Sequence, residues 1–181
     1  MTYNPDIHHR RSTRLREYDY SLAGAYFVTI CCQGRECLFG DVVDREMLMN
    51  DAGRTICEWW LKLPDKFAGV ELHECICMPN HFHGIIALVG AAPCGRPGLS
   101  MKDGHPHGGA PTLGGMIDWF KTMTTNAYIN GVKHSNWPSF PGRLWQRNYY
   151  DRVIRNDLEL SETREYILSN PANWANDDNY S

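Results

Sequence analysis

The stretch VELHECICMPNHFHGIIALV, residues 70–89, decides the fold. Val70, Leu72 and Ile76 alternate with Glu71, His73, Cys75 and Cys77, the period of a half-buried strand. Met78-Pro79-Asn80 breaks the run, and from His81 to Val89 it resumes with β character. Two such runs joined by a short turn make an adjacent antiparallel pair. Side chains two apart on a strand share a face, so His81 and His83 project together with Phe82 buried opposite. Paired imidazoles can share one divalent cation and leave room for a third protein ligand and a substrate oxygen. Cys75 and Cys77 also share a face upstream. They keep open a second reading, a structural zinc site built from Cys-x-Cys and His-x-His, although its spacing matches no common zinc module.

Working outward, residues 25–32 (AYFVTICC) follow Gly24 and are aromatic and β-branched throughout, as in a buried strand. From Asp44 the apolar positions Leu48, Ala52, Ile56, Trp59 and Leu63, with Thr55 among them, recur at helical spacing, and Pro64 stops them. Residues 90–112 are dense in Gly and Pro and have no period, which predicts a flexible loop. Leu113, Ile117, Phe120, Thr124 and Ala127 trace a second helix. A Pro/Gly stretch from Pro138 to Gly142 leads into a fourth strand, Leu144 to Ile154. The last helix is capped by Asn156 or Asp157, carries Leu160, Thr163 and Ile167 on its buried side, and is stopped by Pro171. From Asn173 onward the tail reads as only partly ordered. Strand, helix, strand, strand, helix, strand, helix is the order of an α+β ferredoxin-like sandwich, with a four-stranded antiparallel sheet and one extra C-terminal helix.

At 181 residues and 43% hydrophobic, the chain supports one core, and residues 1–181 read as a single domain with a basic N-terminal segment (1–20). No apolar run approaches the roughly 20 residues of a membrane span, and the start lacks a signal-peptide core, which points to the cytoplasm and no membrane partner. Seven scattered cysteines argue for reduced thiols rather than a disulfide framework. The net charge of −3 argues against indiscriminate nucleic-acid binding. Its distribution nevertheless leaves two basic patches, Arg10, Arg11, Arg14 and Arg16, then Arg143, Arg147, Arg152 and Arg155.

Three motifs taken together carry a resemblance: MPNHFHGII (78–86), LWQRNYYDRVIRN (144–156) and REYILSNP (164–171). With RRSTRLREYDY (10–20) and GAYFVTIC (24–31), the chain resembles the REP-associated tyrosine transposases over residues 10–174, apart from the 90–112 loop. That resemblance implies a metal-dependent single-strand DNA endonuclease and strand transferase acting at REP-type hairpins. His81 and His83 match the metal pair, and Tyr166 matches the nucleophile that forms a 5′-phosphotyrosine. Asn170 falls where insertion-sequence relatives place a glutamine as third metal ligand, although the following proline disfavours helical geometry there. Mg²⁺ or Mn²⁺ suits such a donor set. Single-stranded or hairpin DNA is the implied partner, contacted by Arg10, Arg11, Arg14, Arg16, Arg147 and Arg152, with Tyr18 and Tyr20 able to stack on bases. Tyr149 and Tyr150 are adjacent on the expected fourth strand, so one points inward and the other outward, where it can meet a base. Both compete with Tyr166 for the nucleophile role. Monomer and homodimer stay open. The rival classes are a hairpin-binding module without chemistry and the zinc-stabilised structural domain.

Overall fold

The computed structural model describes residues 24–89 and 112–177; the 90–111 part of the expected loop, the basic segment with Arg10, Arg11, Arg14, Arg16, Tyr18 and Tyr20, and Cys94 lie outside the described residues. Strand β1 (Gly24–Cys31) is followed by a 3-10 turn (Gln33–Arg35) and a hairpin of β2 (Gly40–Val43) and β3 (Glu46–Met49). Helices α1 (Asp51–Leu61) and α2 (Leu63–Lys66) precede β4 (Val70–Cys77) and β5 (His81–Leu88). Then come α3 (Leu113–His134), β6 (Tyr150–Ile154), α4 (Asp157–Ser169) and a second 3-10 turn (Pro171–Asn176).

The main sheet has the order β4-β5-β1-β6, and all three pairings are antiparallel. With α1 after β1 and α3 after β5, this is the ferredoxin-like α+β arrangement. β5 sits inside the sheet with both faces covered, which is why its sequence is apolar on both parities. Its even-numbered side, Phe82 and Ile86, joins Tyr26, Val28 and Ile30 in the large core under α1 and α3. Phe82 packs against Trp60 and Phe120 at ring separations of 4.8 and 5.3 Å. Burying such a ring contributes on the order of 2–3 kcal/mol. The other side of the sheet carries a smaller cluster in which Ile85 and Ile154 meet Ile167 of α4, with Phe27 and Ile76 packed around them.

Two contacts fix α4 across that second face. Arg164 donates from Nε to Glu74 Oε2 and from Nη2 to His73 Nδ1, both at 2.7 Å, tying the helix to edge strand β4. At the opposite edge Arg152 of β6 donates to Thr163 Oγ1 at 2.8 Å. Asn156 caps the helix start by accepting from Glu159 N at 2.9 Å.

Two expectations are corrected. The run from Asp44 opens as a hairpin, since Asp44 and Arg45 adopt positive φ (52° and 67°) as a two-residue turn requires, and Leu48 is 56% exposed. The helix itself begins at Asp51, where Asn50 accepts from Gly53 N at 3.0 Å. The fourth strand starts at Tyr150 rather than Leu144, and the only pairing described before it is the bridge Cys32–Trp145. After α4 the chain continues as the 3-10 turn to Asn176, because Pro171 needs no hydrogen-bond donor at the start of a new turn.

Candidate metal and tyrosine site

Strand register brings the site together on the α4 side of the sheet. His81 lies opposite Cys31 and His83 opposite Thr29; Thr29 in turn faces Tyr150 of β6. The Nε2 atoms of the two histidines are 2.9 Å apart. That is close to the ~3.0 Å between two adjacent ligands on one ion at ~2.1 Å. Their outer nitrogens are engaged. His81 Nδ1 meets Asn80 Oδ1 at 2.9 Å, and Asn80 Nδ2 donates to Arg35 O at 3.1 Å. With its amide nitrogen so used, Asn80 presents its oxygen, and His81 Nδ1 carries the proton. His83 Nδ1 lies 2.8 Å from the Thr29 hydroxyl. With Nδ1 of each ring bonded on its far side, both Nε2 lone pairs are available to one cation.

Both imidazoles are buried, at 0% and 1% exposure, so the pair is set within the packing. The cause is that Trp174 of the 3-10 turn covers His81 at 5.7 Å, while Phe27 and Tyr166 lie against His83 at 5.2 and 5.5 Å. Burial lowers the His81 pKa to about 4, with Arg35 pushing the same way and the Asp177 carboxylate and Asn170 amide opposing. Burial first, then the neighbouring His81, holds His83 well below the usual histidine range. Both rings are therefore neutral at pH 7, the form that binds metal.

Asp177 is a functional group that the sequence pattern does not reveal. One of its carboxylate oxygens lies within 4.8 Å of ligand nitrogens on both histidines, so His81, His83 and Asp177 form a cluster that could hold a metal ion. Asn170 keeps helical backbone angles (φ −56°, ψ −43°) although a proline follows, which corrects the expected distortion. It is 2% exposed. Its Nδ2 donates to Asp177 Oδ2 at 3.2 Å, while its Oδ1 is buried with no hydrogen-bond partner. An orphaned oxygen costs about 1–3 kcal/mol unless something occupies its lone pairs, and a cation would do so. Two imidazole nitrogens with carboxylate and amide oxygens suit Mg²⁺, Mn²⁺ or Zn²⁺. The residues present fit a divalent ion.

Tyr166, 45% exposed, stands at the rim of a cleft of about 510 Å³ whose walls also include Thr29, Arg35, His83, Tyr150 and Asp177. The adjacent tyrosines point as alternation requires: Tyr149 is 9% exposed and turned to the α3 side, whereas Tyr150 is 58% exposed on the cleft side. Arg152 reaches α4 rather than the metal cluster, and Arg147 lies on the far side of residues 146–149, beside α3. The zinc reading through Cys75 and Cys77 does not survive. Cys77 pairs with Phe82 and Cys75 with Gly84 in the ladder, so both sulfurs face α1 while the histidines face α4. None of the six described cysteines is paired in a disulfide.

The fold and the site together define an α+β protein of the REP-associated tyrosine transposase fold, with the His-x-His pair that the motif resemblance implied. A REP-associated tyrosine transposase solved bound to a REP hairpin superposes with a TM-score of 0.58 at 18% identity, covering 89% of this chain and 73% of that one. No family model matches the chain. An uncharacterized protein of Haemophilus influenzae is 38% identical over 181 residues, covering 98% of this chain and 97% of its own length, and the chain belongs to the same family as that protein.

Proposed function

We propose that this protein cuts and rejoins single-stranded DNA beside hairpins of the REP type, through a covalent bond to Tyr166. The observation that carries the reading is the placement of Tyr166 with its ring 5.5 Å from that of His83, in one cleft that Asn170 and Asp177 also line.

His81, His83 and the oxygens of Asp177 and Asn170 would hold a divalent ion, Mg²⁺ or Mn²⁺, which would supply Lewis-acid polarisation of the scissile phosphate when bound. The chain's own residues do the rest. The Tyr166 oxygen, having given up its proton, attacks phosphorus. The phosphorus–O3′ bond breaks, and the departing 3′-oxygen takes a proton to become a hydroxyl. The product is a 5′-phosphotyrosine that conserves the phosphodiester, so a second 3′-hydroxyl can reverse the reaction without ATP. Arg35, whose positive charge already reaches His81, brings a cation to the cleft for the non-bridging oxygens. Tyr150, exposed on the same face, offers a ring on which an unpaired base can stack.

The test is incubation with hairpin DNA bearing a single-stranded flank, with Mn²⁺, followed by denaturing electrophoresis. A protein–DNA adduct supports the reading. Binding with no adduct under any divalent ion favours a module without chemistry.

A further inference from the structure

Away from the cleft, residues 142–147 and α3 enclose a groove of about 450 Å³. Its walls carry three cations, Lys121, Arg143 and Arg147, against one carboxylate, Asp118. In a chain of net charge −3 such a concentration is local rather than a general surplus. Arg143 and Arg147 are exposed, and among the described residues neither has a carboxylate partner, in contrast to Arg54 with Asp51 and Arg164 with Glu74. Unpaired guanidiniums on a concave wall suit an oxyanion, which they can hold through two parallel hydrogen bonds.

The wall is built rather than loose. Lys121 donates from Nζ to Gln146 O at 2.7 Å and Arg147 O at 3.0 Å. Gln146 is bonded to the end of β1, its N donating to Cys31 O at 2.9 Å and its Nε2 to Cys32 O at 3.2 Å. Cys31 is the register partner of His81. The groove is thus anchored on the strand end beside the histidine pair. Only two residues, Asn148 and Tyr149, separate Arg147 from Tyr150 in the cleft, a reach of at most ~10 Å, or about three base-pair steps.

The groove differs from the cleft in one respect that selects its occupant. Single strands are held by exposed aromatic rings, and the ring in the groove wall, Trp145, is 3% exposed, its Nε1 donating to Thr124 Oγ1 at 2.9 Å. Without a stacking surface, cations read a backbone and not bases. We infer that the groove of Lys121, Arg143 and Arg147 seats the phosphodiester backbone of a DNA duplex stem, next to the single strand held in the cleft. This rests on the reading of the cleft as a DNA site.

The test compares two probes, a DNA hairpin with a short single-stranded flank and the flank alone, by fluorescence anisotropy over a range of salt. In Arg143→Ala/Arg147→Ala the slope of log affinity against log salt should fall by about 2 in magnitude for the hairpin, one for each phosphate left without its arginine. Affinity for the flank alone should change less than about twofold. Arg143→Glu/Arg147→Glu should weaken the hairpin further, with unchanged circular dichroism showing that the fold persists. An unchanged hairpin slope, or equal losses on both probes, overturns the duplex seat. Absence of a covalent adduct in the wild-type protein, with the hairpin slope still lowered in the variant, would refute the cleavage chemistry and leave the groove standing.

Discussion

His81 and His83 approach each other through their inner nitrogens, Nε2 to Nε2 at 2.9 Å, while Asn80 and Thr29 hold the outer ones. Strand periodicity alone places two rings on one face; it does not aim their lone pairs at one point. That aim comes from Asn80, whose own amide is fixed by the Arg35 carbonyl, and from Thr29 on the neighbouring strand.

Removing either outer partner should therefore weaken metal binding without touching a ligand. Asn80→Ala and Thr29→Val are expected to lower Mn²⁺ affinity about 10- to 100-fold by calorimetry. Affinity equal to wild type in both variants would mean that the rings are oriented by packing alone.

Tyr166→Phe deletes one oxygen and keeps the edge contact with Phe27 at 5.8 Å. Stability should move by no more than about 0.5 kcal/mol in urea melts, as for a partly exposed site. Adduct formation should fall by at least three orders of magnitude, on the order of what losing a nucleophile costs. DNA mapped by peptide analysis to Tyr149 or Tyr150 would reassign the chemistry to β6.

The depressed histidines also set a direction for stability against pH. Unfolded, both take up a proton near their ordinary pKa of about 6.5; folded, His81 does so only at about 4, and burial holds His83 well below its ordinary value too. Between these limits the unfolded chain binds more protons, so stability is full above about pH 7 and falls as pH drops, at up to about 2.7 kcal/mol per unit for two groups. Urea melts at pH 7.5, 6 and 5 should show this fall, and His81→Gln/His83→Gln should flatten it. A variant falling as steeply as wild type would place the titration elsewhere.

The parts of this architecture legible in the sequence are those set by local period. The β4–β5 pair, the His81/His83 face and the α4 stripe of Thr163 and Ile167 follow from spacings of two and of three to four. The illegible parts depend on residues far apart in the chain. The hairpin turn at Asp44-Arg45 uses positive φ without a glycine, so no breaker marked it, and Leu48 happened to fit a helical stripe. Asp177 lies in a polar tail, and only the 3-10 turn after Pro171 brings its carboxylate to the histidines. The exclusion of Cys75 and Cys77 from the metal site needed the register Cys77–Phe82, which sets sulfur and imidazole on opposite faces.

Gly84, next to His83, has a structural reason visible only in three dimensions. A Cβ there would run into the Trp60 ring and lie 3.0 Å from Phe82 Cε1. Gly84→Ala should cost about 1–3 kcal/mol through overpacking, seen as a lower urea midpoint at unchanged slope. A neutral result would show that Trp60 has room to move.

The last prediction concerns how α4 is aimed. Arg164 joins the helix to Glu74 and His73 at the edge of the sheet, two residues before Tyr166 in the chain. The pair is partly exposed, with side-chain accessibilities of 39% and 31%, so breaking it should cost no more than about 1 kcal/mol of stability. Its effect on chemistry should be larger, because a displacement near 1 Å at a reacting group can cost about 100-fold in rate. Arg164→Met should leave the Mn²⁺ affinity near wild type, since no metal-site residue is altered, and should slow adduct formation by roughly tenfold or more at saturating DNA. Arg164→Lys, which keeps the charge and gives up the two-armed grip, should recover only part of that rate. A rate equal to wild type in Arg164→Met would show that Arg152 and the Ile85–Ile167 packing suffice to hold Tyr166 over the histidines.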